Sequence, residues 1–153
     1  MLGGKTYKIE QKQTILTNRS EVFEFFSDAF NLELLTPKFL NFRILTPPPI
    51  NIKEGTIIQY KISLFGVPMK WKTEIEKFEP ENLFVDNQVK GPYSLWHHTH
   101  IFEETENGTL MTDIVNYRLP FGILGRIAHT IFVRRTLKKI FAHRKQEISQ
   151  LFG

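Results

Sequence analysis

The chain has 153 residues, 41 % hydrophobic and 13 % aromatic, with 14 phenylalanines and a formal net charge of +4. That is enough apolar material for one domain core and excludes a disordered chain. The absence of cysteine excludes disulfides and thiolate metal sites, and the mild positive charge does not call for nucleic acid.

No apolar run follows Met1-Leu2-Gly3-Gly4-Lys5, so no secretory leader is expected. No stretch reaches the ~18–20 apolar residues of a bilayer span. The longest candidate, residues 119–133, is broken by Arg126 and His129. The expectation is a single cytoplasmic domain over residues 1–153.

Residues 5–15 alternate around Tyr7, Ile9 and Ile15 and predict a first strand. Asn18 with Glu21 three positions on predicts a capped helix, in which Val22, Phe26 and Phe30 recur at helical spacing. Residues 31–35 predict a second short helix that Pro37 ends, and residues 42–45 a short strand before the stiff Pro47-Pro48-Pro49 connector. Strands then follow quickly. Residues 56–64 set Ile58, Tyr60, Ile62 and Leu64 on one face. Residues 69–78 put Lys70, Lys72, Glu74 and Glu76 towards water and Trp71, Thr73 and Ile75 inward. Residues 83–90 form a strand that Gly91-Pro92 turns into the next.

That next segment, residues 94–104, is the most informative. Alternate side chains of a strand share a face, so Trp96, His98, His100 and Phe102 point inward together. Buried polar groups are costly unless paired, and a polar-lined cavity is one way to keep two imidazoles among aromatics. Asn107-Gly108 signals a hairpin, and residues 110–117 are the last strand. A two-residue turn there pairs Glu106 with Thr109. It sets Phe102 opposite Asp113, His100 opposite Val115 and His98 opposite Tyr117, with Asp113 diagonal to His100. A short turn at Gly91-Pro92 sets Gln88 beside Trp96 and Asp86 beside His98. The shared face thus carries Asp86, Gln88, Trp96, His98, His100, Asp113 and Tyr117.

From Gly125 the period becomes helical. Ile127, Ile131, Ile140, Phe141, Ile148 and Leu151 make most of an apolar stripe. Arg134, Arg135, Lys138, Lys139, Arg144 and Lys145 decorate the rest. Residues 119–124 are a connector or a mobile gate. The order is α+β: a strand, two short helices, about six strands joined by short turns and hence antiparallel, then one long helix. The helix must bury its stripe on the sheet.

Three uses fit the inward polar face: a structural His–Asp network, a cavity wall that orients a bound molecule, or acid–base or metal chemistry. A metal would take His98, His100 and Asp113, but no fourth ligand is evident and none is expected. Tyr60, Ile62, Trp71 and Met111 fill the core on the plainer reading and line a cavity on the other. The basic helix face is solvated, with Arg134, Arg135, Lys138 and Lys139 as candidates for weak contact with an anionic membrane. No Gly-rich phosphate loop, Ser elbow or Cys nucleophile is present.

The chain resembles the START/Bet v 1-like (SRPBCC) superfamily, and more narrowly its bacterial cyclase/dehydrase-like ligand-binding proteins. The resemblance rests on Leu45-Thr46-Pro47, Gly66-Val67-Pro68-Met69-Lys70-Trp71, Phe84-Val85-Asp86-Asn87-Gln88, Gly91-Pro92-Tyr93, Trp96-His97-His98-Thr99-His100-Ile101-Phe102, Met111-Thr112-Asp113 and Leu119-Pro120-Phe121-Gly122. It implies a helix-grip fold, a curved antiparallel sheet of six to seven strands around a long C-terminal helix. It also implies an apolar cavity for a hydrophobic or amphipathic molecule such as a lipid, quinone or polyketide, with no cofactor. Two alternatives stand beside it. One is a cyclase, dehydratase or isomerase in which His98 or His100 removes a proton and Asp86 or Asp113 tunes it. The other is a membrane-surface or protein interaction module built on the basic helix. Tyr60, Trp71, Asp86, Gln88, Trp96, His98, His100, Met111, Asp113 and Tyr117 are the expected ligand-binding residues.

Overall fold

The structure, a computed structural model, describes residues 4–64 and 66–152; residues 1–3, which enter the leader expectation, lie outside the described residues. Seven strands form one antiparallel sheet: β1 (Thr6–Ile15), β2 (Arg43–Ile44), β3 (Ile57–Leu64), β4 (Val67–Glu79), β5 (Leu83–Lys90), β6 (Leu95–Thr105) and β7 (Gly108–Arg118), in the order β1-β7-β6-β5-β4-β3-β2. Two short helices follow β1: α1 (Arg19–Phe26) and α2 (Leu32–Leu35), with 3-10 turns beside them. After β7 come α3 (Gly122–Ala128), a π turn (His129–Val133) and α4 (Arg134–Phe152). This is the helix-grip arrangement.

Local chemistry explains the elements. Asn18 caps α1: its side-chain oxygen accepts from the Glu21 amide at 2.9 Å, and its own amide donates to the Glu21 carboxylate at 3.0 Å. The reciprocal half thus runs between side chains rather than to the cap's backbone. In β4, Trp71, Thr73 and Ile75 are all buried, as its alternation requires. Phe23, Phe26, Phe84, Phe102, Met111 and Ile148 form one core cluster under α1, and Val115, Tyr117, Leu137 and Phe141 another under α4.

Three details differ from expectation. The β6–β7 hairpin closes one residue earlier, with Thr105 opposite Gly108, which moves every cross-strand partner by two. Gly108 is absent from the left-handed turn geometry because its backbone presses on β1: a Cβ there would lie 2.1 Å from the Ile15 carbonyl oxygen. A two-residue slip keeps the faces and changes the partners. His100 now faces Asp113, His98 faces Val115, Trp96 faces Tyr117, and Phe102 faces Met111. By contrast, Asp86 is paired with His98 as the sequence suggested.

The second difference concerns the helix stripe. Ile127 and Ile131 are about half exposed, at 51 % and 53 %, and Leu151 at 46 %. Gly125, His129 and Leu137 are buried instead, in line with Phe141, which is buried as expected, and Val133 is half-buried. These five positions step by four, and each such step overshoots an α-helical turn by about 40°. The wider π turn takes up the overshoot, so the inward face continues through His129 while Ile127 and Ile131 turn outward. The third difference is Arg144, expected in water but buried in the core at 6 % exposure.

Candidate functional site

Between the sheet and α4, with α1 and α2 closing one side, lies a cavity of about 170 Å³. Tyr60 and Trp71 come from β3 and β4, Tyr93 from the β5–β6 turn, and Trp96 from β6; together they make its aromatic wall. Trp71 meets Trp96 edge-on at 5.5 Å and stacks with Tyr60 at 5.9 Å, and Tyr93 lies 4.9 Å from Trp96. Thr73 holds this wall in place. Its hydroxyl accepts from the Trp71 indole at 3.0 Å and lies 2.9 Å from the Tyr60 hydroxyl. Burial pushes the Tyr60 and Tyr93 phenols far above their ordinary range, so both stay neutral.

The polar end is built on three strands and the helix. His98 and His100 stack at 3.7 Å, and Phe84 stacks on the outer face of His100 at 4.2 Å. His100 Nε2 donates to Asp86 Oδ2 at 2.6 Å, and His98 Nε2 donates to Asp113 Oδ1 at 2.9 Å. A carboxylate can only accept, so each contact dictates which ring nitrogen carries hydrogen. Asp113 Oδ1 also lies 3.3 Å from His100 Nδ1. Arg144 reaches in from α4 and donates Nε to Asp113 Oδ2 and Nη2 to Oδ1, both at 3.2 Å.

Opposed effects decide the charges. Burial alone raises a carboxylate pKa, but Arg144 and the two imidazoles hold Asp113 well below its ordinary value. Burial likewise opposes the His100 bond that keeps Asp86 low, and the bond wins. Burial disfavours a charged His100, yet the hydrogen bonds it donates to Asp113 and Asp86 raise its pKa. Burial and the neighbouring His100 lower the pKa of His98, against the pull of Asp113 and Asp86. The site therefore sets two carboxylates held low (Asp86, Asp113) against the Arg144 cation, with protonation favoured on His100 and disfavoured on His98; Arg144 Nη2 also lies 3.4 Å from His100 Nδ1. With Nε2 committed to Asp113, His98 Nδ1 keeps a lone pair. Among the described residues it has no hydrogen-bond partner, and it stands 3.9 Å from Asp86 Oδ2.

Asp86, His98 and His100 bring one potential metal-ligating atom each within 4.8 Å of one another. Stacked imidazoles hold their lone pairs side by side rather than aimed at one point, and His100 Nε2 is already spent on Asp86. Holding a metal there requires one ring to turn and His100 to release its proton.

Of the residues expected at the site, Tyr60, Trp71, Asp86, Trp96, His98 and His100 line the cavity. Asp113 stands behind the histidines and orients both. Gln88 clamps the β5–β6 turn, donating to the Tyr93 carbonyl at 2.6 Å and accepting from the Tyr93 amide at 3.1 Å. Met111 packs into the phenylalanine cluster, and the Tyr117 hydroxyl meets His129 Nε2 at 2.7 Å beneath the π turn. Arg134, Arg135, Lys138 and Lys139 are all exposed. Arg144 and Tyr93 were not expected. A signal for Arg144 existed: it occupies a core position in the run Leu137, Phe141, Arg144, Ile148.

A family model described as polyketide cyclase / dehydrase and lipid transport matches residues 18–142. The chain belongs to this family. Solved structures similar to this family member share its fold at low identity. The ZhuI aromatase/cyclase of Streptomyces sp. R1128 is 11 % identical with a TM-score of 0.73, covering 95 % of this chain and 93 % of that one. Ginseng (Panax ginseng) major latex-like protein 151 is 15 % identical with a TM-score of 0.68, covering 98 % and 99 %. Protein CV1439 of Chromobacterium violaceum is 12 % identical with a TM-score of 0.72, covering 95 % and 97 %. No curated protein matches the chain. The SRPBCC membership implied by the sequence motifs therefore holds. Among the described residues no helix is long and apolar enough to cross a membrane.

Proposed function

We propose that this SRPBCC protein binds a small hydrophobic or amphipathic molecule in the cavity between sheet and C-terminal helix. The supporting observation is an aromatic-walled cavity with one polar end, in which His98 Nδ1 has no hydrogen-bond partner among the described residues. Apolar burial supplies affinity at about 25 cal/mol per Å². The volume favours a ring-sized ligand, since a cavity of about 150 Å³ accommodates benzene. A second cavity of about 260 Å³ lies under the connector at Leu119 and Pro120, separated from the first by the shared side chains of Leu64, Tyr93 and Ile140. A longer ligand requires these three to part. Native and denaturing mass spectrometry of gently purified protein is the first test, followed by titration of stripped protein with one- and two-ring probes. Absence of binding to every probe would overturn the reading.

The geometry also supports a second reading as a cyclase, dehydratase or isomerase. Asp113 orients a neutral imidazole, the arrangement a general base uses. On this reading the protein accelerates exchange of the α-protons of a cyclic ketone such as 2-tetralone. Loss of that exchange in a folded His98→Gln protein supports it; unchanged exchange removes His98 as the base.

A further inference from the structure

The π turn leaves an apolar crest that is exposed among the described residues. Phe121 at 81 % and Leu124 at 71 % exposure stand at the start of α3, and Ile123, Ile127 and Ile131 follow at spacings of four. Exposed apolar groups in such a row mark contact surfaces. The Ile123–Ile127–Ile131 side opens onto a groove against β1 that carries six cations: Lys5, Lys8, Arg126, Arg134, Lys138 and Lys145. Among the described residues Glu10 is the one acid lining it, and it already pairs with Lys8 at 3.4 Å. The other side, Phe121 and Leu124, borders the second cavity. We propose that this crest docks on an anionic lipid surface, with Phe121, Leu124 and Ile127 entering the interface and the groove cations meeting headgroups. An apolar row flanked by cations of one sign complements such a surface, and the contact brings the second cavity to the membrane. The docking face is thus α3 and the β1 groove, whereas Arg135 and Lys139 lie outside that groove.

Vesicle co-sedimentation tests this with phosphatidylcholine alone and with about one third phosphatidylglycerol. Binding is expected only to the anionic vesicles and should weaken as salt is added. Leu124→Asp and Ile127→Asp should each lower partitioning about tenfold with melting temperature unchanged. Arg134→Glu with Lys138→Glu should lower it more than Arg135→Glu with Lys139→Glu. Equal binding to neutral vesicles, or wild-type binding by both Asp variants, overturns the proposal. A concentration-dependent dimer that Ile127→Asp dissociates would also overturn it, assigning the crest to a second copy.

A separate observation concerns ligand choice and rests on the binding reading above. At the polar end, His98 Nδ1 and Asp86 Oδ1 are acceptors with no hydrogen bond among the described residues. His98 is more than nine-tenths buried. The donors present are already committed, His100 Nε2 to Asp86 and the Arg144 guanidinium to Asp113. A ligand carboxylate would be a third anion among two. We infer that the cavity selects a ring-sized ligand bearing a hydroxyl, a phenol or enol, over the same ring bearing a carboxylate.

Calorimetric titration with 2-naphthol, 2-methoxynaphthalene and 2-naphthoate tests it, with quenching of Trp71 and Trp96 fluorescence reporting occupancy. The naphthol should bind about tenfold tighter than its methyl ether, the worth of one hydrogen bond, and naphthoate weakest. His98→Phe should erase the naphthol preference. The wild-type ranking stands even where that variant fails to fold. Equal binding of naphthol and ether, or tightest binding of naphthoate, overturns this inference and leaves the binding reading intact. Binding of no probe overturns both.

Discussion

Arg144 holds the polar end together. Its guanidinium faces Asp113 with two donors and lies over the Phe26 ring at 5.2 Å. Removing one partner of a buried ion pair strands the other charge and costs about 3–5 kcal/mol, whereas replacing both costs far less. Arg144→Met should therefore lower unfolding stability by about that amount. Adding Asp113→Asn should restore part of it, as a double-mutant cycle by urea denaturation would show. Purely additive losses would mean that the two side chains do not act as a pair. Sequence alternation reached Asp86, His98, His100 and Asp113, because period two assigns faces without tertiary information. Arg144 was missed because a long cationic side chain on an amphipathic helix is ordinarily solvated, and only the acids opposite it reverse that.

Helix register is decided at the π turn. Phe141 is buried beside His98, while Ile131 is half exposed ten residues earlier on the helix. Phe141→Ala should cost about 3–5 kcal/mol. Ile131→Ala should stay within about 0.5 kcal/mol, as surface changes do. Comparable losses in a thermal melt would mean that the helix runs in the uninterrupted register. The β6–β7 hairpin makes a parallel point. Asn107-Gly108 correctly announced a hairpin but placed its turn one residue late and its partners two residues off, because the glycine serves close approach to Ile15 rather than a left-handed turn. Gly108→Ala must push that backbone apart and should destabilise by about 1–3 kcal/mol.

Across the whole molecule, the buried charges make stability depend on pH. Asp86 and Asp113 have lowered pKa values. Their contribution is complete above the unfolded carboxylate value near ~4 and is lost as pH falls through their folded values. His98, also lowered, adds an acid loss that begins below ~6.5. His100 acts oppositely: its raised pKa stabilises below ~6.5, and that contribution fades as pH climbs through the folded value. Denaturation midpoints should thus fall steeply on acidification below pH ~4, and Asp113→Asn should flatten that limb. An unchanged acid limb in the variant would remove Asp113 as its source. With one sheet gripping one helix, unfolding should be a single transition, coincident by near- and far-ultraviolet circular dichroism.

Local order alone determined much of this protein. Strand and helix periods, turn residues and the spacing of Trp96, His98, His100 and Phe102 announced an α+β chain, antiparallel strands followed by one long helix, with polar groups on an inward face; the family resemblance added the helix-grip fold. Those signals depend on neighbours in sequence, where sterics and alternation act directly. Tertiary structure decided what depends on distant partners. It settled the two-residue slip imposed by Ile15 on Gly108, the π turn that turns Ile127 and Ile131 outward, and the descent of Arg144 onto Asp113. The helix and the strands meet only on folding, and the pairing of their charges and shapes at that contact sets the site's charge balance and the cavity's size.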